Sequence, residues 1–194
     1  MKSRRVGEDK KLQAYIIGVA LGDGNLSNPN GRAVRLRITC DKKYPQLLKH
    51  ITESLKILFP ESRVGIVNRK GCVDVSIYSN KLTKLLGWQW DKGPKDAQNV
   101  RVPTWIKRDT NYLKECLRGL FQTDGSQYND RGYPMINFVN TCETLAADVS
   151  EMIKILGYYP NVQRLKQDNG KIRYTVRLAK NTTQFIKTIN YWKV

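Results

Sequence analysis

Apolar and polar residues alternate over Val34-Arg35-Leu36-Arg37-Ile38-Thr39. Val34, Leu36 and Ile38 share one face and the two arginines the other, so the run predicts a half-buried strand with a basic outer face. The period then changes. Leu47, Ile51, Leu55 and Leu58 recur at helical spacing and predict an amphipathic helix. Residues 63–79, RVGIVNRKGCVDVSIYS, read as two strands turning at Arg69-Lys70-Gly71, and Lys81 to Trp88 forms a closing helical piece. The same order then returns. Pro134 to Thr141 predicts a strand, and Leu145, Val149, Met152 and Leu156 a helix. Residues 161–179 predict a hairpin turning at Asp168-Asn169-Gly170, because Asn-Gly favours the backbone of a tight turn. In its last strand Ile172, Tyr174, Val176 and Leu178 face inward, while Lys171, Arg173, Thr175 and Arg177 face out. Thr182 to Trp192 closes this second unit.

Each unit opens on an apolar helical stretch, IIGVALGDG (residues 16–24) and LRGLFQTDG (residues 117–125). Both are awkward helices. Glycine inside a helix costs about 1 kcal/mol relative to alanine, and an acid is unfavourable at the negative end of the helix dipole. Gly18 and Gly22 lie four apart and so share a face; Gly119 and Thr123 form the matching small face. Small residues at this spacing let two helix backbones approach closely, and the duplication predicts that these two helices pair. Asp23 and Asp124 then emerge together. Two adjacent carboxylates are tolerable where a divalent cation binds between them. Gly24 and Gly125 read as C-terminal helix stops.

The predicted fold class is therefore α+β, with two pseudo-symmetric helix–hairpin–helix–hairpin–helix halves. They span residues 1–88 and 104–194, joined by a linker at 89–103. The charged start, MKSRRVGEDKK, is expected to fray.

Composition narrows the function. Lys plus Arg number 34 against 17 Asp plus Glu, a formal charge of +17. Both halves carry the excess, so it is not a basic tail, and it points to a polyanion, foremost nucleic acid. The four cysteines, Cys40, Cys72, Cys116 and Cys142, form no C-x-x-C pair; a zinc site is not expected, and reduced thiols in an intracellular protein are. The single histidine, His50, excludes chemistry that needs several imidazoles and reads as a surface or packing residue. There is no membrane-spanning apolar run and no signal peptide. A bacterial or phage cytoplasm, or an organelle, is the expected compartment.

The two opening stretches resemble the motifs of a double-motif LAGLIDADG homing endonuclease, and the elements after each stretch come in that family's order over nearly the whole chain. The resemblance implies two sheets forming a saddle over double-stranded DNA, with the motif helices at the interface. It implies that Asp23 and Asp124, with Gly22 and Thr123 beside them, hold the catalytic metal. That metal is normally Mg²⁺, with Mn²⁺ substituting and Ca²⁺ binding without cleavage. Both strands would be cut across the minor groove, leaving short 3′ overhangs, by a monomer that needs no membrane. A basic residue near each scissile phosphate is also implied. Lys95 is the candidate in the first half; Lys193 could be its counterpart. A water-ordering polar residue near the end of each half's first long strand matches Asn140 in the second half. In the first half Thr39-Cys40-Asp41-Lys42 stands there, with two extra residues before Leu47. Cys40 is a poor substitute for an amide; Lys42 could assist.

Strand alternation supplies the DNA-facing set: Arg35, Arg37, Asp74, Ser76 and Tyr78 on one sheet, Lys171, Arg173, Thr175 and Arg177 on the other. Such side chains read base edges in the major groove, and the two unlike sets predict an asymmetric target. Two alternatives remain: an RNA maturase that assists intron splicing on the same scaffold, and a non-catalytic DNA-binding regulator. The presence of both acids counts against the second. No splicing-domain sequence flanks the halves, which speaks against an endonuclease embedded in an intein.

Overall fold

The computed structural model describes residues 6–194. Its first helix, α1 (Val6–Asp23), is much longer than its apolar stretch. The expectation of a frayed start is corrected from Val6 onward; residues 1–5 lie outside the described residues. A helix carries its charged first turns along when its other end is anchored, and here every residue from Ala14 to Leu21 is buried.

α1 runs straight into β1 (Gly24–Ser27), followed by β2 (Arg35–Asp41), α2 (Pro45–Leu58), β3 (Gly65–Asn68), β4 (Cys72–Tyr78) and α3 (Leu82–Leu86). A short helix, α4 (Thr104–Lys107), precedes the second copy of the pattern: α5 (Thr110–Asp124), β5 (Gly125–Asp130), β6 (Tyr133–Asn140), α6 (Glu143–Ile155), β7 (Asn161–Lys166), β8 (Ile172–Leu178) and α7 (Thr182–Thr188). Asp109 caps α5, its carboxylate accepting from the Asn111 and Tyr112 amides, which satisfies donors a helix start leaves free.

Each half holds one antiparallel four-stranded sheet, β1-β2-β4-β3 and β5-β6-β8-β7. The registers superimpose. Gly24 faces Ile38 and Ile38 faces Val75 in the first sheet; Gly125 faces Phe138 and Phe138 faces Val176 in the second. Leu36, Ile38, Val75 and Ile77 are buried against the helices, as are Ile136, Phe138, Val176 and Leu178. Burying such side chains stabilises by about 1.5–3 kcal/mol each.

The halves meet along α1 and α5. A β-carbon on Gly18 would strike the Cys116 carbonyl oxygen, and one on Gly119 would lie 2.7 Å from the Val19 amide nitrogen. One on Gly22 would lie 2.7 Å from the Thr123 β-carbon. The small faces are thus in backbone contact. Gly24 and Gly125 differ from expectation. Neither has a positive φ, and Gly125 is extended. A β-carbon on either would strike a carbonyl of the helix just ended, Ala20 or Phe121. Glycine is required there for room rather than for a left-handed stop.

Candidate functional site

Because the helices pair in parallel register, their last residues, Asp23 and Asp124, arrive at the same end of the interface. Asp124 is partly enclosed, and the Asn140 side-chain nitrogen donates to it at 2.6 Å. Burial, then the neighbouring Asp23 charge, push its carboxyl up to about 6, against the hydrogen bond from Asn140 and the two nearby lysines. Asp23 keeps contact with solvent, yet the protein crowded around it raises its pKa, with Lys95 and Lys193 opposing.

Lys95 is no solvated linker lysine. Its ammonium donates to the α1 carbonyls of Leu21 at 2.6 Å, Ala20 at 3.2 Å and Gly22. These are the carbonyls that the helix end leaves unpaired, and a cation is favoured at that pole. Lys193 does the same for α5, donating to the Thr123 carbonyl at 3.0 Å and the Gly125 carbonyl at 3.2 Å. The two lysines are thus counterparts. Burial lowers the pKa of both, opposed by the two aspartates.

Both lysines act on both acids: Lys95 is the larger opposing charge at Asp23 and at Asp124, with Lys193 second. Lys193 lines a cleft of about 390 Å³ with Asp23, Thr39, Cys40, Asp41, Lys43 and Tyr44. The structure therefore brings both acids, Asn140, Cys40 and the two lysines together at the ends of the paired helices.

Matching registers put Cys40 where Asn140 stands, two residues beyond Ile38 and Phe138 respectively. Its thiol is pushed up to about 12 by burial, with the Asp23 charge adding, so it stays protonated. Lys42 is exposed in the turn formed by the two extra residues, which Asp41 closes by accepting from the Lys43 amide at 3.0 Å. His50 is a packing residue, its ring 4.8 Å from Tyr15 and 5.6 Å from Trp192. A wider groove of about 740 Å³ lies away from the carboxylates, between α6 and the β7–β8 edge.

Among the described residues no group of three or more His, Cys, Asp or Glu could hold a metal. Two carboxylates with backbone carbonyls still fit Mg²⁺, which keeps several waters and completes its shell with substrate phosphate oxygens. The Gly22 and Thr123 carbonyls stand beside the acids, and each already accepts from a lysine.

On the outer sheet faces Arg37 pairs across strands with Ser76, and Arg35 with Tyr78. Arg177 pairs with Asn137. Among the described residues, the Nε atoms of Arg37 and Arg177 have no partner. Thr175, Arg173 and the turn residue Lys171 share the second sheet's outer side. Asp74 departs from expectation. It is buried, accepting from the Thr39 hydroxyl at 2.8 Å and Arg69 Nε at 2.7 Å. Those bonds hold its carboxyl below its ordinary value despite burial. Asn25, Ser27, Ser126 and Tyr128 join the outer faces through β1 and β5. Their strands directly follow a helix, and only the alternation in GNLS and GSQY marks them.

Two family models match: a LAGLIDADG-like domain over residues 111–190 and a WhiA LAGLIDADG-like domain over residues 12–83. The homing endonuclease I-DmoI, solved in complex with DNA and Mn, aligns with a TM-score of 0.71 at 18% identity, covering 96% of this chain and 99% of that one. Further structures show I-DmoI with DNA and Ca, and a variant with its target DNA and Mg. The N-terminal LAGLIDADG domain of DUF199/WhiA aligns at 0.66 and 13% identity, covering 98% of this chain and 88% of that one. A DNA polymerase of Thermococcus sp. (strain GE8) is 30% identical over 91% of this chain, which spans 10% of the polymerase. The tRNA-splicing ligase RtcB of Pyrococcus furiosus is 26% identical over 95% of the chain, which spans 22% of it. With one motif helix and one four-stranded sheet in each half, the chain belongs to the LAGLIDADG family as a double-motif protein.

Proposed function

We propose that the chain is a site-specific DNA endonuclease making a divalent-metal-dependent double-strand break in a long asymmetric duplex, with short 3′ overhangs, as a monomer. The observation that carries this reading is the pair of carboxylates at the end of the paired helices, with a half-buried lysine at each helix end. A binding-only protein gains nothing from two repelling acids there.

Bound Mg²⁺ would make a water nucleophilic and stabilise the leaving oxygen; Asp23 and Asp124 would hold it. The remaining tasks fall to the chain's own residues. Asn140 fixes the Asp124 carboxylate through its side-chain nitrogen. Lys95 and Lys193 each place an ammonium where a phosphate would arrive. The arginines of the sheets supply phosphate neutralisation and base contacts.

The test is selection of cleaved sequences from a randomised duplex pool in Mg²⁺, with EDTA and Ca²⁺ controls. Recovery of one long, asymmetric site cut on both strands is expected in Mg²⁺ alone. Binding to that site should weaken steeply with salt, each neutralised phosphate contributing about 0.9 to the log–log slope. No cleaved product in Mg²⁺ or Mn²⁺, with binding retained, would return the chain to the regulator reading.

A second reading concerns context. One stretch matching proteins as unlike as a polymerase and a tRNA-splicing ligase favours a unit also carried inside larger hosts, against the expectation drawn from the flanks. Coexpression within a host reading frame, with mass spectrometry of the products, tests it.

A further inference from the structure

The paired helices bury mainly apolar side chains along their contact. Gln122, on α5, is 1% exposed; the corresponding residue of α1 is Leu21. A buried amide is costly unless both ends are bonded. Here both are. Its oxygen accepts from the Tyr15 hydroxyl at 2.8 Å, and its nitrogen donates to the Trp192 carbonyl at 2.7 Å. The Trp192 ring packs against His50, and His50 against Tyr15, so the four residues form a closed circuit that includes Trp192, the neighbour of Lys193. Beyond it, the Leu47 amide donates to the Val194 carbonyl at 3.1 Å.

We propose that Gln122 is a positioning residue. By holding the Trp192 carbonyl it sets where the Lys193 ammonium stands, and so governs one of the two strand cleavages. This rests on the endonuclease reading above. The first half uses another device. Lys95 sits in a loop clasped by Gln98, whose side-chain nitrogen donates to the Gln89 carbonyl at 2.9 Å and the Gly93 carbonyl at 2.8 Å. Replacing Gln122 therefore leaves Lys95 in place.

The test compares Gln122→Met with Tyr15→Phe. Both cut the same buried line, but only the first deprives the Trp192 carbonyl of its donor. Lys193→Met identifies the strand that depends on Lys193 and assigns the slowly exchanging Nζ signal of Lys193 in lysine-selective NMR. On the site selected in Mg²⁺, Gln122→Met is expected to slow that strand at least tenfold in single turnover, and the other less than twofold. Tyr15→Phe should slow neither beyond twofold. Without DNA or metal, the Nζ signal should vanish in Gln122→Met and persist in Tyr15→Phe. Equal slowing of both strands, or a Nζ signal unchanged in Gln122→Met, overturns the proposal. A Lys193→Met variant that cuts both strands at the parental rate overturns it as well. If the parent cuts no DNA, the endonuclease reading fails, and the Nζ signal alone decides whether Gln122 positions Lys193.

Discussion

The two halves share a backbone and differ at the residues that would meet a phosphate. Gly18 and Gly119, Gly24 and Gly125, Asp23 and Asp124, and Lys95 and Lys193 occupy corresponding places. Each answers a demand of the helix pair: close approach, room for the chain to leave the helix, and cations for the free carbonyls. Around them the halves part company. Asn140 faces Asp124, while Cys40 stands at the matching point near Asp23. Buried Gln122 answers to Leu21. Arg37 comes from β2, whereas the arginine of the matching cross-strand pair, Arg177, comes from β8. The repeated features build the scaffold; the unrepeated ones would distinguish two strands and two half-sites.

The most severe break in this comparison removes the shared acids. Asp23→Asn or Asp124→Asn should each cut the rate of double-strand cleavage in Mg²⁺ by about 10³-fold or more. Site binding should stay near the parental value, because affinity comes from the sheets. If either single variant cleaves both strands normally, the acids do not act as one site.

Gly18→Leu attacks the symmetry axis. Its side chain would collide with the Cys116 carbonyl, and the variant should lose about 3 kcal/mol or more. Thermal melting should show a fall of about 6–12 °C; a parental melting curve would mean that the helices do not touch there.

Lys95→Met and Lys193→Met separate the two halves. Each should slow cleavage by about 10²-fold, on opposite strands, read by strand-specific end labels in single turnover. Both variants slowing the same strand would show that the lysines do not divide the two cleavages between them.

Asp124 also makes the metal-free protein sensitive to pH. Its folded pKa of about 6 lies above the ordinary 3.8, so the folded state binds the proton more tightly than the unfolded chain. The associated stability is fully present below the unfolded value and is lost as pH rises through about 6. Discounted for partial exposure, it amounts to about 1–2 kcal/mol. Denaturant titrations at pH 4.5 and 7.5, in EDTA, should show that difference in the parent relative to Asp124→Asn. An equal pH response in the two proteins would place the shift elsewhere.

Cys40→Asn sharpens the comparison most gently, by giving the first half the second half's amide. The strand slowed by Lys193→Met should be cut about threefold faster, the worth of one weak net hydrogen bond. A slower rate would show that the thiol is suited to its cleft.

What the sequence determined by itself is the repeat and its elements. Periods of two and of 3.6 residues, the Asn169-Gly170 turn and the spaced glycines are local signals, written in neighbouring residues, and the fold follows them closely. Even the helix contact was legible, because small residues four apart are hard to explain within one helix and recur in the second. Asp74 escaped that reading. Alternation places it correctly on the outer face, but Thr39 and Arg69, from other positions in the sheet, cover it. The family resemblance alone offers Lys193 as a counterpart of Lys95; the packing of the 191–194 segment over α5 brings its ammonium to the Thr123 carbonyl. The helix-end contacts of the two lysines and the role of Gln122 depend on residues far apart in the chain. Periodicity tells which face a side chain takes. Which partner waits on that face is set by how the two halves close on one another, and only the tertiary structure decided it.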